Sequence, residues 1–248
     1  MIDSVETSRR RMLGYAVRWA GLLAGAALAW PAGTLGPRLG TGFLTGITAF
    51  CVCAMAGVLA ADGLRAGPQG AVRRATLTPR RVRDQLPRRT TGLLTVQAAL
   101  LVALLAGAWA AGSPDDAGRA GRALTVACAE YTLTRGPWPG AYYGLPLLGL
   151  LVAGTVLCAW TLRRIVLTAA TDTEGLRHRA RTVIAAWGLS VTAPLAGTAL
   201  LMSSATRAAD CLGAPAHALA WTLLPVALLA VVSAAWCVAN LVPRGPRR

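Results

Sequence analysis

Apolar residues fall in six long runs separated by polar stretches, with little of the two-residue alternation that marks half-buried strands. The runs cover about 12–31, 41–61, 91–111, 143–162, 182–204 and 218–242. Each is about 20 residues or more, the length a helix needs to cross a bilayer core. In the first two runs small residues recur at steps of three and four: Gly21 and Gly25, then Gly42, Gly46, Ala49, Cys53 and Gly57. Such a ridge lets a second helix approach closely, either within the chain or from another copy. The expected fold is all-α, a single polytopic membrane bundle of six transmembrane helices over residues 1–248.

Charge orients these spans. All 25 basic residues are arginine. The segment from Asp62 to Thr90 carries Arg65, Arg73, Arg74, Arg80, Arg81, Arg83, Arg88 and Arg89 against only Asp62 and Asp84. Such a cluster stays on the cytoplasmic side. Alternation then makes 62–90 and 163–181 cytoplasmic loops, and 32–40, 112–142 and 205–217 outer loops, with both termini cytoplasmic. Only Arg38, Arg119, Arg122, Arg135 and Arg207 fall outside, which leaves 25 − 5 = 20 on the leader, cytoplasmic loops and tail, counting Arg18. The lack of lysine, with abundant Ala and Gly, points to a high-GC bacterium, and the chain is expected in its cytoplasmic (inner) membrane.

Composition supports that class. Charged residues make up 14% of the chain, against about 25% in soluble domains. The net charge of +15 could indicate nucleic acid, but the arginines sit beside apolar runs. Orientation and anionic lipid headgroups account for them. Arg18 interrupts the first run, where a central arginine costs about 2.5–3.5 kcal/mol, and a position near a helix end lets it snorkel. Ser8 to Leu13 also resembles a twin-arginine export signal, with Ala27-Leu28-Ala29 as a cleavage site, although Arg18 speaks against this. Pro146, Pro194 and Pro225 lie in or at the edge of spans and can kink them.

Candidate chemistry inside the spans is sparse. No Asp, Glu or His sits near the middle of a run, which disfavours an ion-coupled carrier. Gln97 is the main amide and reads as interhelical glue. Cys51 and Cys53, two positions apart, face opposite sides of a helix and read as buried small hydrophobes. Cys128 and Cys211 fall in two outer loops, where a disulfide persists, and are expected to pair. The sequence indicates no catalytic residue, metal ligand or cofactor.

Two surface elements are candidates for recognition. Thr78 can cap a short helix, Pro79 suits its first position, and Val82 and Leu86 share one face with Arg80, Arg81 and Arg83 around the rest. This amphipathic segment rests on anionic lipid or docks a cytoplasmic partner. On the outside, Trp138, Tyr142 and Tyr143 form a stiff aromatic surface that anchors at the interface or binds a ligand. Asp62 has Arg65 close by in sequence as an ion-pair partner.

The outer segment from Gly118 to Thr125, then Cys128 and Gly136-Pro137-Trp138-Pro139-Gly140, resembles a group of actinobacterial multi-pass membrane proteins without an assigned activity. The size, six spans, inside termini and short helix after the second span also resemble the permease subunit of an ABC-2-type exporter. That resemblance implies that 79–86 couples to a separate ATPase. Those permeases commonly carry a re-entrant outer element between their last two spans; here the longest outer loop lies between the third and fourth. The expected function is a transport-associated, permease-like subunit without enzyme activity, with a homo-oligomer possible. A structural or regulatory envelope protein is the alternative.

Overall fold

The structure, a computed structural model, describes residues 2–34, 41–65, 88–168 and 173–242. Among these are six long helices: α1 (Ile2–Thr34), α2 (Thr41–Arg65), α3 (Arg88–Ala111), α4 (Ala141–Thr168), α5 (Thr173–Arg207) and α6 (Gly213–Leu241). All six are long and apolar enough to cross a membrane. A β-hairpin, β1 (Leu124–Ala127) and β2 (Thr132–Arg135), lies between α3 and α4, and a 3-10 turn (Asp210–Leu212) joins α5 to α6. The amphipathic segment with Arg80, Arg81, Val82, Arg83 and Leu86 lies outside the described residues.

Helix α5 is the axle. In its apolar stretch 83% of residues are buried, against 17–44% in the other five helices. Three side-chain clusters succeed one another along it. Leu176, Val183, Ile184 and Leu189 pack with Val58, Leu94, Ile165 and Leu241. Val191 and Leu195 pack with Leu101, Leu105, Leu147 and Ala230. Ala199, Met202 and Ala205 pack with Ala108, Trp138 and Leu223. Small residues permit this crowding: a Cβ on Gly188 would stand 2.7 Å from Cys237 Sγ and 2.9 Å from a Leu94 methyl.

Six buried α5 hydroxyls are Thr182, Ser190, Thr192, Thr198, Ser203 and Thr206. Thr182 donates to the His178 carbonyl (2.9 Å) and Ser190 to that of Trp187 (2.7 Å). Ser203 donates across to the Ala220 carbonyl of α6 (2.9 Å). Gln97 of α3 donates to Ser233 of α6 (3.0 Å), in keeping with an interhelical role for this amide. Pro146, Pro194 and Pro225 are all carried inside helices.

Helix α1 packs on α2. The small-residue ridge meets its counterpart within the chain: a Cβ on Gly21 would stand 2.8 Å from the Cys53 carbonyl and 2.9 Å from the Gly57 Cα, and one on Gly46 would stand 3.0 Å from the Ala29 carbonyl. Arg18 does not lie on the exposed side of α1, and its 4% exposure places it in the packing. Cys51 is buried at α5, its thiol 3.6 Å from the Leu189 carbonyl, whereas Cys53 is only partly buried, beside Gly25 of α1. The opposed orientation follows from the rotation of about 200° between positions i and i+2.

At the end shared by Arg88, Arg163 and Arg177, Asp62 accepts from Arg179 Nε (2.8 Å) and Nη2 (2.7 Å). This links α2 to α5 across 117 positions. The Arg65 side chain, suggested by sequence proximity, lies outside the described residues.

Gly21→Val forces branched carbons into backbone atoms of α2, so detergent-solubilised protein should be destabilised by about 1–3 kcal/mol. Gly107→Ala, where a Cβ meets nothing within 4 Å, should melt at or above the wild-type temperature. Equal melting of the two variants would show that α1 does not pack on this ridge.

Candidate functional site

The built site is a cap on the end of the bundle opposite Arg88, here the hairpin end. It begins with a turn. Asp115 Oδ1 accepts from the backbone N–H of Ala117 (3.0 Å) and Arg119 (2.9 Å), while Oδ2 accepts from Arg119 Nε (2.9 Å). An aspartate bonding to nearby backbone in this way closes a loop locally. Gly118 supplies the left-handed residue the turn requires, at φ +73°. The Arg119 backbone N–H is the main cause of an Asp115 carboxyl held below its ordinary value; the Ala117 N–H and the Arg119 guanidinium add to it, and desolvation opposes it.

The chain then crosses itself. A Cβ on Gly140 would run into the Gly121 carbonyl, and one on Gly121 would stand 2.6 Å from the Ala141 nitrogen. Two glycines therefore let the entry and exit of the hairpin touch. Between them β1 and β2 pair antiparallel, with Leu124 opposite Arg135 and Ala127 opposite Thr132. Leu124 points into the protein while Thr125 is exposed and meets Thr134 (3.3 Å) and Ser113 (2.7 Å). Cross-strand threonine pairs of this kind stabilise hairpins.

Three contacts fasten the cap. Cys128, in the hairpin turn, forms a disulfide with Cys211 in the turn between α5 and α6. The expected pairing is present, and it ties together positions 83 residues apart. Trp138 is 3% exposed and donates from Nε1 to the Ala108 carbonyl at the end of α3 (2.7 Å). Arg122 donates from Nε to the Tyr143 hydroxyl (3.1 Å), lies 5.0 Å from the centre of the Tyr142 ring, and reaches Asp115 at 3.5 Å. The tyrosine hydrogen bond raises the Arg122 pKa further, so its positive charge is fixed.

The expected aromatic surface is thus divided. Tyr142 is 50% exposed, but Trp138 and Tyr143 are buried. The reason is polar as well as apolar: Ala108 lies in the last turn of α3, where carbonyls lack helical partners, and the indole N–H satisfies one of them. Sequence reasoning also missed Asp115 and Arg122. The Pro114-Asp115 pair followed by Gly118 was a legible turn signal.

No family model, no curated protein and no solved structure matches this chain. Its chemistry therefore rests on its own geometry. The cap places one partly buried arginine, two tyrosines and a carboxylate within a hydrogen-bonded network that fixes the hairpin.

Unreduced, unfolded protein should expose four thiols to maleimide and six after reduction, as the free cysteines are Cys51, Cys53, Cys158 and Cys237. Six labels without reduction would contradict the disulfide. Amide protection at Ala117 and Arg119 should be full above the ordinary carboxylate pKa of about 3.9 and lost as pH falls through the lowered Asp115 value. That is the sign for a group whose folded-state pKa is depressed. In Asp115→Asn this pH dependence should vanish; its persistence would assign it to another group.

Proposed function

We propose that this chain is a multi-pass protein of a bacterial cytoplasmic membrane with no catalysis of its own. It acts as a structural or regulatory component of the envelope, working through partners. Both termini and the Arg88 end face the cytoplasm, and the hairpin cap faces outward. The 20-to-5 division of arginines supports that orientation. So does the disulfide, which belongs to an oxidising compartment.

The observation that carries the structural reading is the filling around α5. Among the described residues, three clusters follow one another along α5 from the Arg88 end to the cap.

A permease-like subunit served by a separate ATPase is the second reading. It is favoured by the amphipathic run of Val82 and Leu86 among Arg80, Arg81 and Arg83, placed between α2 and α3.

Purification from native membranes in mild detergent separates the two. Recovery without an ATPase, under conditions that preserve a known transporter, is expected for the structural reading. Recovery with an ATPase, abolished by Val82→Asp with Leu86→Asp, would replace it with the permease reading. Orientation is tested separately: in intact cells a membrane-impermeant maleimide should label Ala120→Cys and not Arg177→Cys, and the reverse pattern would invert the topology.

A further inference from the structure

The Arg88 end carries a second feature that neither the cap nor the packing uses. Helices α5 and α6 leave a pocket of about 60 Å³ between them, lined by His178, Arg181, Thr182, Ala239, Asn240 and Val242. That is room for several water-sized groups. None of the six lining residues is acidic. His178, Arg181 and Thr182 stand at i, i+3 and i+4, so they share one face of α5.

The polar groups have defined roles. The Thr182 hydroxyl donates to the His178 carbonyl (2.9 Å) and is thereby satisfied within α5. Asn240 uses one amide proton on the Trp236 carbonyl (2.8 Å) and retains a second N–H. Arg181 brings a full positive charge on an exposed side chain. A guanidinium and an amide N–H beside a small notch match the oxygens of a phosphate.

One turn deeper on α6 from Asn240 stands Trp236, with 42% of its surface exposed. An exposed ring four positions before Asn240, and so on the same side of α6, suits a ligand with a chain attached to its phosphate. We infer that the α5–α6 pocket binds the phosphate headgroup of an anionic phospholipid, with Arg181 and Asn240 on the phosphate and Trp236 along the acyl chain. This rests on the reading that the six helices span a membrane and that their arginine-rich end lies at headgroup level, where basic pockets between helices hold such lipids.

The test is native mass spectrometry of delipidated full-length protein, titrated with phosphatidylglycerol, with phosphatidylcholine of the same chains, and with inorganic phosphate. One phosphatidylglycerol should bind in preference to phosphatidylcholine. Arg181→Gln should weaken it about fivefold. Asn240→Leu and Trp236→Ala should each weaken it as well, while all three variants keep the wild-type elution volume. Equal binding of the two lipids, or unchanged binding in Arg181→Gln, overturns the site. Inorganic phosphate bound as tightly as phosphatidylglycerol and unaffected by Trp236→Ala overturns the lipid assignment in favour of a free anion. The maleimide pattern in cells reports topology independently, so an inverted orientation is not mistaken for a failed site.

Discussion

Everything in this bundle depends on the enclosure of α5. The mean hydropathy of its most apolar stretch is 1.5, against 2.0 to 2.2 for those of α2, α3, α4 and α6. In water the most apolar helix would go to the centre. In a bilayer the order reverses, because lipid tails reward apolar faces and penalise hydroxyls. Most Ser and Thr positions of α5, from Thr182 to Thr206, are therefore shielded by four more apolar neighbours. The exposed surface carries residues such as Val96, Val152, Val156, Leu228 and Val232 instead. Helix α1, at 1.3, departs from this order because, among the described residues, it packs chiefly on α2. Its Arg18 lowers the mean while being turned into the packing.

A buried axle leaves its two ends to be fixed by other means. At the Arg88 end the Asp62–Arg179 pair joins α2 to α5, with side chains only 8% and 20% exposed. Removal of one partner from such a pair strands the other in a poorly solvating site, at a cost of about 3–5 kcal/mol. At the opposite end the disulfide and the Trp138 indole tie the hairpin to the α5–α6 turn and to α3. A loop of this length restrains an unfolded chain by about 4–5 kcal/mol in water, and by less where a bilayer already limits it. The two fasteners differ in chemistry because their surroundings differ. One is ionic and sits among arginines; the other is covalent and sits on the side with few charges.

The helices were legible because a run of about 20 apolar residues has few alternatives. The ridge from Gly42 to Gly57 was legible for a similar reason, and α1 is its partner. The Cys128–Cys211 pair could be read once the loops were assigned to one side. The hairpin was not, since Leu124 and Val126 offer only two alternations before the turn, too few to stand out beside the spans. Trp138 was misplaced on the surface because sequence shows an interfacial aromatic but not the unsatisfied Ala108 carbonyl it reaches. Arg179 as partner of Asp62 was out of reach, as nothing local marks a contact 117 positions away. The α5–α6 pocket draws on both helices and had no local signature either.

Enclosure of α5 also limits what a transport role could look like. A Cβ on Gly188 would press on Cys237 Sγ and a Leu94 methyl, so a path between α5 and this face requires α3 and α6 to shift. That would break the Gln97–Ser233 hydrogen bond and expose the hydroxyls the ring now covers. A path formed between copies avoids both costs, because it would use surfaces such as Val152 and Val156 on α4 or Leu228 and Val232 on α6, which are already exposed. Those surfaces are apolar and lack the polar lining that conducts a hydrophilic solute. A cargo moved along them would have to be lipid-like, whereas a structural or regulatory role asks for no path. The structural or regulatory role proposed above is compatible with this packing.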